Sequence, residues 1–275
     1  MTAPRTDVRL IATDMDRTLL SGEPKTISSR TRMALTAATQ AGIRVMAVSG
    51  RQPYSQATFV TGTPLADLGI GCNGAVIAHL GTGEILAEEI LEPDAQAALT
   101  FGLREVFPEV KVAAFRNGGN TVRAQVGYLA AVAGQQAPWP PDQREVSLDE
   151  VLSQGAVKLV AKVPRVPAEE VYAAALELKV PGCEPVISGA PWLEVARAGV
   201  TKASALAKVA SHLGIDATEA VAIGDNINDV AMLRWAGWGV AVANATPEAL
   251  AAADHVTVSN EDDAVAVVIE EILAS

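Results

Sequence analysis

Short apolar runs rich in β-branched residues alternate with helical stretches at both ends of the chain, and no other feature narrows the fold so far. LIATD, ending at Asp14, is such a run; turn residues follow, then a helical pattern over residues 31–41 that Gly42 closes. VMAVS, ending at Ser49, predicts a second buried strand and LGIGC, ending at Cys72, a third, with a helix over residues 54–61 between them. Near the carboxyl end the same order returns: AVAIGD a strand, NDVAMLRWA a helix, WGVAVAN a strand, PEALAAA a helix, HVTVS a strand, and residues 262–273 an amphipathic helix. Strands that are apolar at nearly every position need cover on both faces, and the intervening helices supply it. The fold class is therefore α/β, with a parallel sheet between helical layers.

Residues 84–192 break this alternation, with Pro and Gly punctuating shorter elements, and are read as an inserted second domain; residues 1–83 and 193–275 form the core. Within the insertion KLVAKV (158–163) predicts a strand and residues 168–178 a helix, while APWPPDQ (137–143) reads as a surface loop. No apolar run approaches the roughly 18 residues of a membrane span, and no basic segment leads into an apolar signal region, so a cytoplasmic protein is expected. With 21 Lys and Arg against 32 Asp and Glu the net charge is -11, which disfavours nucleic acid or an anionic membrane as partner. A small anionic substrate would then need a local positive site. Cys72 and Cys183 lack metal-ligand spacing and are expected as buried free thiols; His79, His212 and His255 are likewise isolated.

The chemistry concentrates at strand ends. DMDRTLL places Asp14 and Asp16 two residues apart with Thr18 two further on, at the carboxyl edge of the first strand, where ligands of open parallel sheets bind. Neighbouring carboxylates repel unless a cation joins them, and magnesium, with its preference for hard oxygen ligands, is the natural one. Taken alone, a D-x-D pair reads better as a solvated turn. What changes the weighing is IGDNIND, in which Asp225 closes a later strand and Asn228 and Asp229 open the next helix. Asp225 would complete the metal site; Asp229 is an outer acid or a lysine holder, or equally an ordinary acid in a first helical turn. Ser49, Gly50 and Arg51 put a hydroxyl and backbone donors at the same edge. Lys202 in GVTKASAL starts a helix, where a cation is unfavourable unless an anionic group lies near.

DMDRTLL, VMAVSGR, GVTKASAL and IGDNINDVAML together resemble, in chain order, the four motifs of the haloacid dehalogenase-like hydrolase superfamily, specifically its Cof-type branch of metabolite phosphatases; CNGAVI, LEVARAGVTK and ADHVTVSNEDDAVA add to the likeness. The resemblance implies a Rossmann-like core with an α/β cap inserted after the third strand. It implies that Asp14 is the nucleophile, forming an aspartyl-phosphate, and that Asp16 is the acid and base, its backbone carbonyl also reaching Mg2+ held by Asp14 and Asp225. Thr18, Ser49, Gly50 and Lys202 would bind phosphate oxygens, with Asn228 and Asp229 supporting. A reference carboxyl pKa near ~3.9 predicts Asp14 ionised at neutral pH. The sequence departs from the family pattern at Arg17, where glycine is usual and a positive φ would strain an arginine, and at Ala203. The implied substrate is a small phosphorylated metabolite, sugar phosphates first and nucleotide or cofactor phosphates behind; Arg116, Arg123, Lys158 and Lys162 are cap candidates, each expected to be solvated. Monomer and homodimer both remain open. The rival readings are a phosphomutase using the same intermediate, an inactive phospholigand-binding regulator, and, from the literal GIGCNG pattern, a dinucleotide-dependent oxidoreductase. The last would need the glycine turn to open a helix, whereas AVIAHLGTGEIL reads as a hairpin.

Overall fold

Strand β1 (Leu10–Thr13) is buried at every position because strands hydrogen-bond to it on both sides. It leads to β2 (Arg44–Val48), β3 (Gly69–Gly71), β4 (Val76–Ala78) and β5 (Ile85–Glu88). After β6 (Lys111–Arg116), β7 (Thr121–Gln125), β8 (Asp142–Val146), β9 (Lys158–Lys162), β10 (Cys183–Val186) and β11 (Leu193–Arg197), the chain returns to the first sheet as β12 (Ala220–Gly224), β13 (Trp238–Ala241) and β14 (His255–Val256). The computed structural model describes residues 7–133, 139–140 and 142–275, and the chain divides into two units, Met1–Leu86 with Thr201–Ser275, and Ala87–Val200.

The first sheet runs β14-β13-β12-β1-β2-β3-β4-β5, parallel from β14 to β3 and antiparallel from β3 to β4. Succession reverses at β1: β2 and β3 are added on one side, β12 to β14 on the other. Loops leaving β1 and β12 therefore part at the carboxyl edge, the position at which α/β sheets bind ligands. The register Thr13↔Ile223, with the Asp14 amide donating to the Ile223 carbonyl at 2.9 Å, brings the two acidic segments side by side. Leu10, Ala12, Met46, Val48 and Ile70 pack on one face against Leu206 and Val209 of the helix Lys202–His212 and Leu233 of Val230–Trp235. The helix Ser29–Gln40, whose first turn is capped by the Ser28 hydroxyl, packs against Ala264–Ala274.

In the second unit the sheet runs β10-β11-β9-β6-β7-β8, antiparallel except for β7 with β8. The helices Pro93–Val106, Leu148–Leu152 and Ala168–Leu178 share a core with it, built on Leu99, Val112, Val151, Leu159, Val171 and Leu193.

Several expectations shift. Strand β11 pairs with β9 and β10, so residues 193–200 lie with the second unit rather than the core; the apolar character of LEVAR does not say which sheet will take it. Of APWPPDQ, residues 137, 138 and 141 lie outside the described residues, while Asp142 and Gln143 begin β8 in parallel register with Thr121 and Val122 rather than a loop. HVTVS forms strand only at His255–Val256. Glycines 69, 71 and 74 open no α-helix: β3 ends in a single 3-10 turn over Cys72–Gly74, with Asn73 at φ 57°, and antiparallel β4 follows. Cys72 is buried and Cys183 half-buried, both as free thiols. No helix among the described residues is long and apolar enough to cross a membrane.

Lys158 and Lys162, expected to be solvated, are buried on β9. Lys158 Nζ donates to Glu194 Oε1 at 2.6 Å and Lys162 Nζ to the Pro191 carbonyl at 2.6 Å. A strand buried at all its positions draws its lysines in, and a charge is tolerated there only when paired. Replacing Glu194 by Ala is expected to destabilise the protein by about 3–5 kcal/mol, the usual cost of stranding half of a buried pair, as measured by denaturant unfolding.

Candidate active site

Most of the candidate side chains follow a strand end or open a helix. Asp14 leaves β1 directly and is 5% exposed. Lys202 opens the helix Lys202–His212, whose first turn is capped reciprocally by Thr201 and Ser204. Its ammonium, 2% exposed, donates to Asp14 Oδ1 at 2.5 Å and to Asp229 Oδ1 at 2.6 Å, and these carboxylates offset the cost of a cation at a positive helix terminus. Asp229 is fully buried, and its other oxygen accepts the amides of Asp225 and Asn226, each at 3.0 Å. Of the readings open for Asp229, two are observed together: it holds the lysine, and it is the acid of a first helical turn, closing a capping box on the Asn226 amide.

Two close approaches make this possible. A Cβ on Gly224 would lie 2.6 Å from the Asp229 Cβ, so only glycine lets Asp229 fold back over the end of β12. A Cβ on Gly74 would lie 2.2 Å from the Thr201 carbonyl oxygen, so the turn after β3 abuts the start of the lysine helix. In that turn Asn73 Oδ1 accepts from Asn228 Nδ2 at 2.9 Å.

Asp16 points elsewhere. Its carboxylate accepts from Arg51 Nε and Nη2 at 2.5 and 2.7 Å and from Lys25 Nζ at 2.7 Å. Burial would raise its pKa, but Arg51 and then Lys25 outweigh that and hold it below the usual carboxylate range. Asp225 Oδ1 accepts the Thr18 hydroxyl at 3.0 Å, and Oδ2 lies 3.7 Å from Arg17 Nε. Burial, then the neighbouring Asp229, push Asp225 up to about 6. The Ser49 hydroxyl is 2% exposed and accepts the Arg51 amide at 3.2 Å, with Gly50 between them in the turn.

Asp14 departs from the expectation built on a solvated carboxyl. Burial raises its pKa well above the ordinary value; Lys202 pulls it down, while Asp229 and Asp225 push it further up. Burial works against the Lys202 ammonium as well, yet Asp14 and Asp229 more than reverse it, so the lysine remains a cation. Further positive charge beside Asp14 would favour its ionised form.

A divalent cation would supply such charge. Carboxylate oxygens of Asp14, Asp225 and Asp229 lie within 4.8 Å of one another, a donor set of hard oxygens suited to such an ion. Both Asp229 oxygens already serve Lys202 and two amides, which leaves Asp14 and Asp225 as the available side chains. The side chain of Asp16 is committed to Arg51 and Lys25 and does not join the cluster. The Asn228 Oδ1, buried on the same loop, takes no hydrogen bond.

Sequence reading missed the Lys25 and Arg51 clamp on Asp16 and the steric role of Gly224. Only Arg51 carried a signal, its adjacency to Ser49. Arg116 and Arg123 lie in a polar cleft of the second unit with Asp142, Arg144 and Glu150; Arg116 Nη2 donates to the Val151 carbonyl at 2.7 Å and Arg123 pairs with Asp142 at 2.9 Å.

A parallel sheet with acidic residues gathered beyond its two central strands around a buried lysine describes an open α/β core with a charged site at its carboxyl edge. The family model of haloacid dehalogenase-like hydrolases matches residues 11–269, and the chain belongs to that family. The HMP-PP phosphatase of Cronobacter sakazakii is 29% identical over 266 residues, 91% of this chain and 89% of that protein. The pyridoxal phosphate phosphatase YbhA of Escherichia coli is 29% identical over 268 residues, 94% and 96% of the two chains. Among solved structures, the phosphatase BT1666 of Bacteroides thetaiotaomicron superposes with a TM-score of 0.81 at 24% identity, covering 100% of this chain and 99% of its own, a likeness of fold.

Asp229→Ala removes one of the Lys202 partners and the acceptor for two amides. A stability loss of about 3–5 kcal/mol in denaturant unfolding is expected, and a loss below about 1 kcal/mol would show that the lysine does not depend on this anchor.

Proposed function

We propose that the protein is a magnesium-dependent phosphatase of small phosphorylated metabolites, acting through an aspartyl-phosphate on Asp14. The observation that carries this reading is the placement of Asp14 at the end of β1, held by Lys202 and within a few ångströms of Asp225. Asp14 and Asp225, with the backbone carbonyl of Asp16, would hold Mg2+, which supplies positive charge against the repulsion between an anionic nucleophile and an anionic substrate.

The remaining steps belong to the chain's own groups. An Asp14 oxygen bonds to phosphorus as the bond to the leaving oxygen breaks, and Asp16 gives that oxygen a proton. Water then attacks phosphorus, Asp16 takes its proton, and the bond to Asp14 breaks to release phosphate. Arg51 and Lys25 keep Asp16 ionised, as the second half requires. For the first half it must carry a proton, and an arriving phosphate that draws either cation toward itself weakens their hold and raises the Asp16 pKa. Lys202 and the Thr18 and Ser49 hydroxyls, with the Gly50 amide, would take phosphate oxygens, while Asn228 and Asp229 support the loop and the lysine.

Residues 87–200 are read as the cap that selects the substrate. HMP-PP and pyridoxal phosphate, named for two relatives, join the sugar phosphates as candidate substrates. A free metabolite in the cytoplasm, rather than nucleic acid or membrane, suits the net charge of -11.

With Mg2+ and a panel of sugar, nucleotide and pyridoxal phosphates, the wild type is expected to release inorganic phosphate rather than transfer it to a second hydroxyl. Asp14→Asn should lower that release by more than about 10³-fold, and equal rates would rule out this nucleophile. Mg2+ at about 100 times its dissociation constant should stabilise the wild type by about 2.7 kcal/mol, read as a rise in Tm over the chelated protein, and Asp225→Asn should abolish most of that rise.

A further inference from the structure

Arg17 is a non-glycine residue at φ 61°, a left-handed conformation that costs an arginine free energy and persists only where its surroundings enforce it. The surroundings are visible. The Arg17 carbonyl accepts from Asn244 Nδ2 at 2.8 Å, and Arg17 Nη2 donates to the Asn244 carbonyl at 3.2 Å. Asn244 is itself held, its Oδ1 accepting the Asn260 amide at 2.9 Å and the Ser259 hydroxyl at 3.2 Å. Asn244 thus holds both the backbone and the guanidinium of Arg17, although the side chain is 66% exposed.

That anchoring sets Arg17 Nε 3.7 Å from Asp225 Oδ2, while Thr18 occupies Oδ1. A cation bound at Asp225 through Oδ2 has to share it with a guanidinium of the same sign. We propose that Arg17 is a built-in attenuator of divalent-cation binding, competing for Asp225 Oδ2 and repelling the ion. The inference rests on the metal reading of this site. Arg17 touches no reacting atom on this account; it acts through Asp225, and its exposure makes the effect sensitive to ionic strength.

Three proteins separate charge from backbone strain: wild type, Arg17→Asn, which tolerates the left-handed backbone without the charge, and Arg17→Lys, which keeps the charge. Mg2+ dissociation constants are measured by titration calorimetry, with the Mg2+-induced rise in Tm as a second readout, at low salt and at about 1 M monovalent salt. Arg17→Asn is expected to bind Mg2+ about tenfold more tightly at low salt, Arg17→Lys to stay within about threefold of the wild type, and the gap to narrow at high salt. An Arg17→Asn constant equal to or weaker than that of the wild type overturns the proposal, as does equal tightening in Arg17→Lys, which would point to strain instead of charge. No heat and no Tm rise in any of the three would overturn the metal reading itself and the inference with it.

Discussion

A lysine ammonium buried between two carboxylates holds this site in shape. Lys202 sits 188 residues from Asp14 and 27 from Asp229, so two bonds from one nitrogen tie together the end of β1, the start of a helix and the loop beyond β12. A charge taken out of water is costly unless its partners are in place, and so are its partners without it. The three groups therefore assemble together or not at all. Asp229 extends the arrangement by accepting the amides of Asp225 and Asn226, which fixes the segment that presents Asp225.

Asp14 and Asp16, two residues apart, show how far surroundings can separate identical side chains. Asp14 is enclosed with other carboxylates nearby, which raises its pKa; Asp16 lies between an arginine and a lysine, which lower its pKa. On the proposed mechanism both shifts have to be offset, by a cation beside Asp14 and by a weaker hold of Arg51 and Lys25 on Asp16. Here the division follows from burial and direction: Asp14 is enclosed and faces Lys202 and Asp225, Asp16 the loops that carry Lys25 and Arg51.

What could be read before folding was local. β1, β2 and β12 announce themselves as apolar runs, and the helix Ala168–Leu178 by its period; once those strands are parallel neighbours, Asp14 and Asp225 must share an edge. The positive φ feared at Arg17 is present. Other features depend on what the chain meets after folding. Lys158 and Lys162 look like solvated lysines until β9 is seen to be interior to its sheet. Nothing near β11 tells which sheet will claim it, and nothing near Lys25 foretells its reach to Asp16. The surroundings of Asp14, which raise its pKa, were hidden for the same reason: a reference value describes a group in water.

The tight fit of Gly74 against Thr201 has a bearing on where such a chain tolerates change. Thr201 is the residue at which the polypeptide re-enters the first unit, and it is received by a turn that precedes the long excursion of residues 87–200. Departure and return are secured on the same scaffold, so its closure makes no demand on what lies in the excursion. Changes within that stretch therefore need not disturb the turn that receives the returning chain, nor the Lys202 helix that starts beside it.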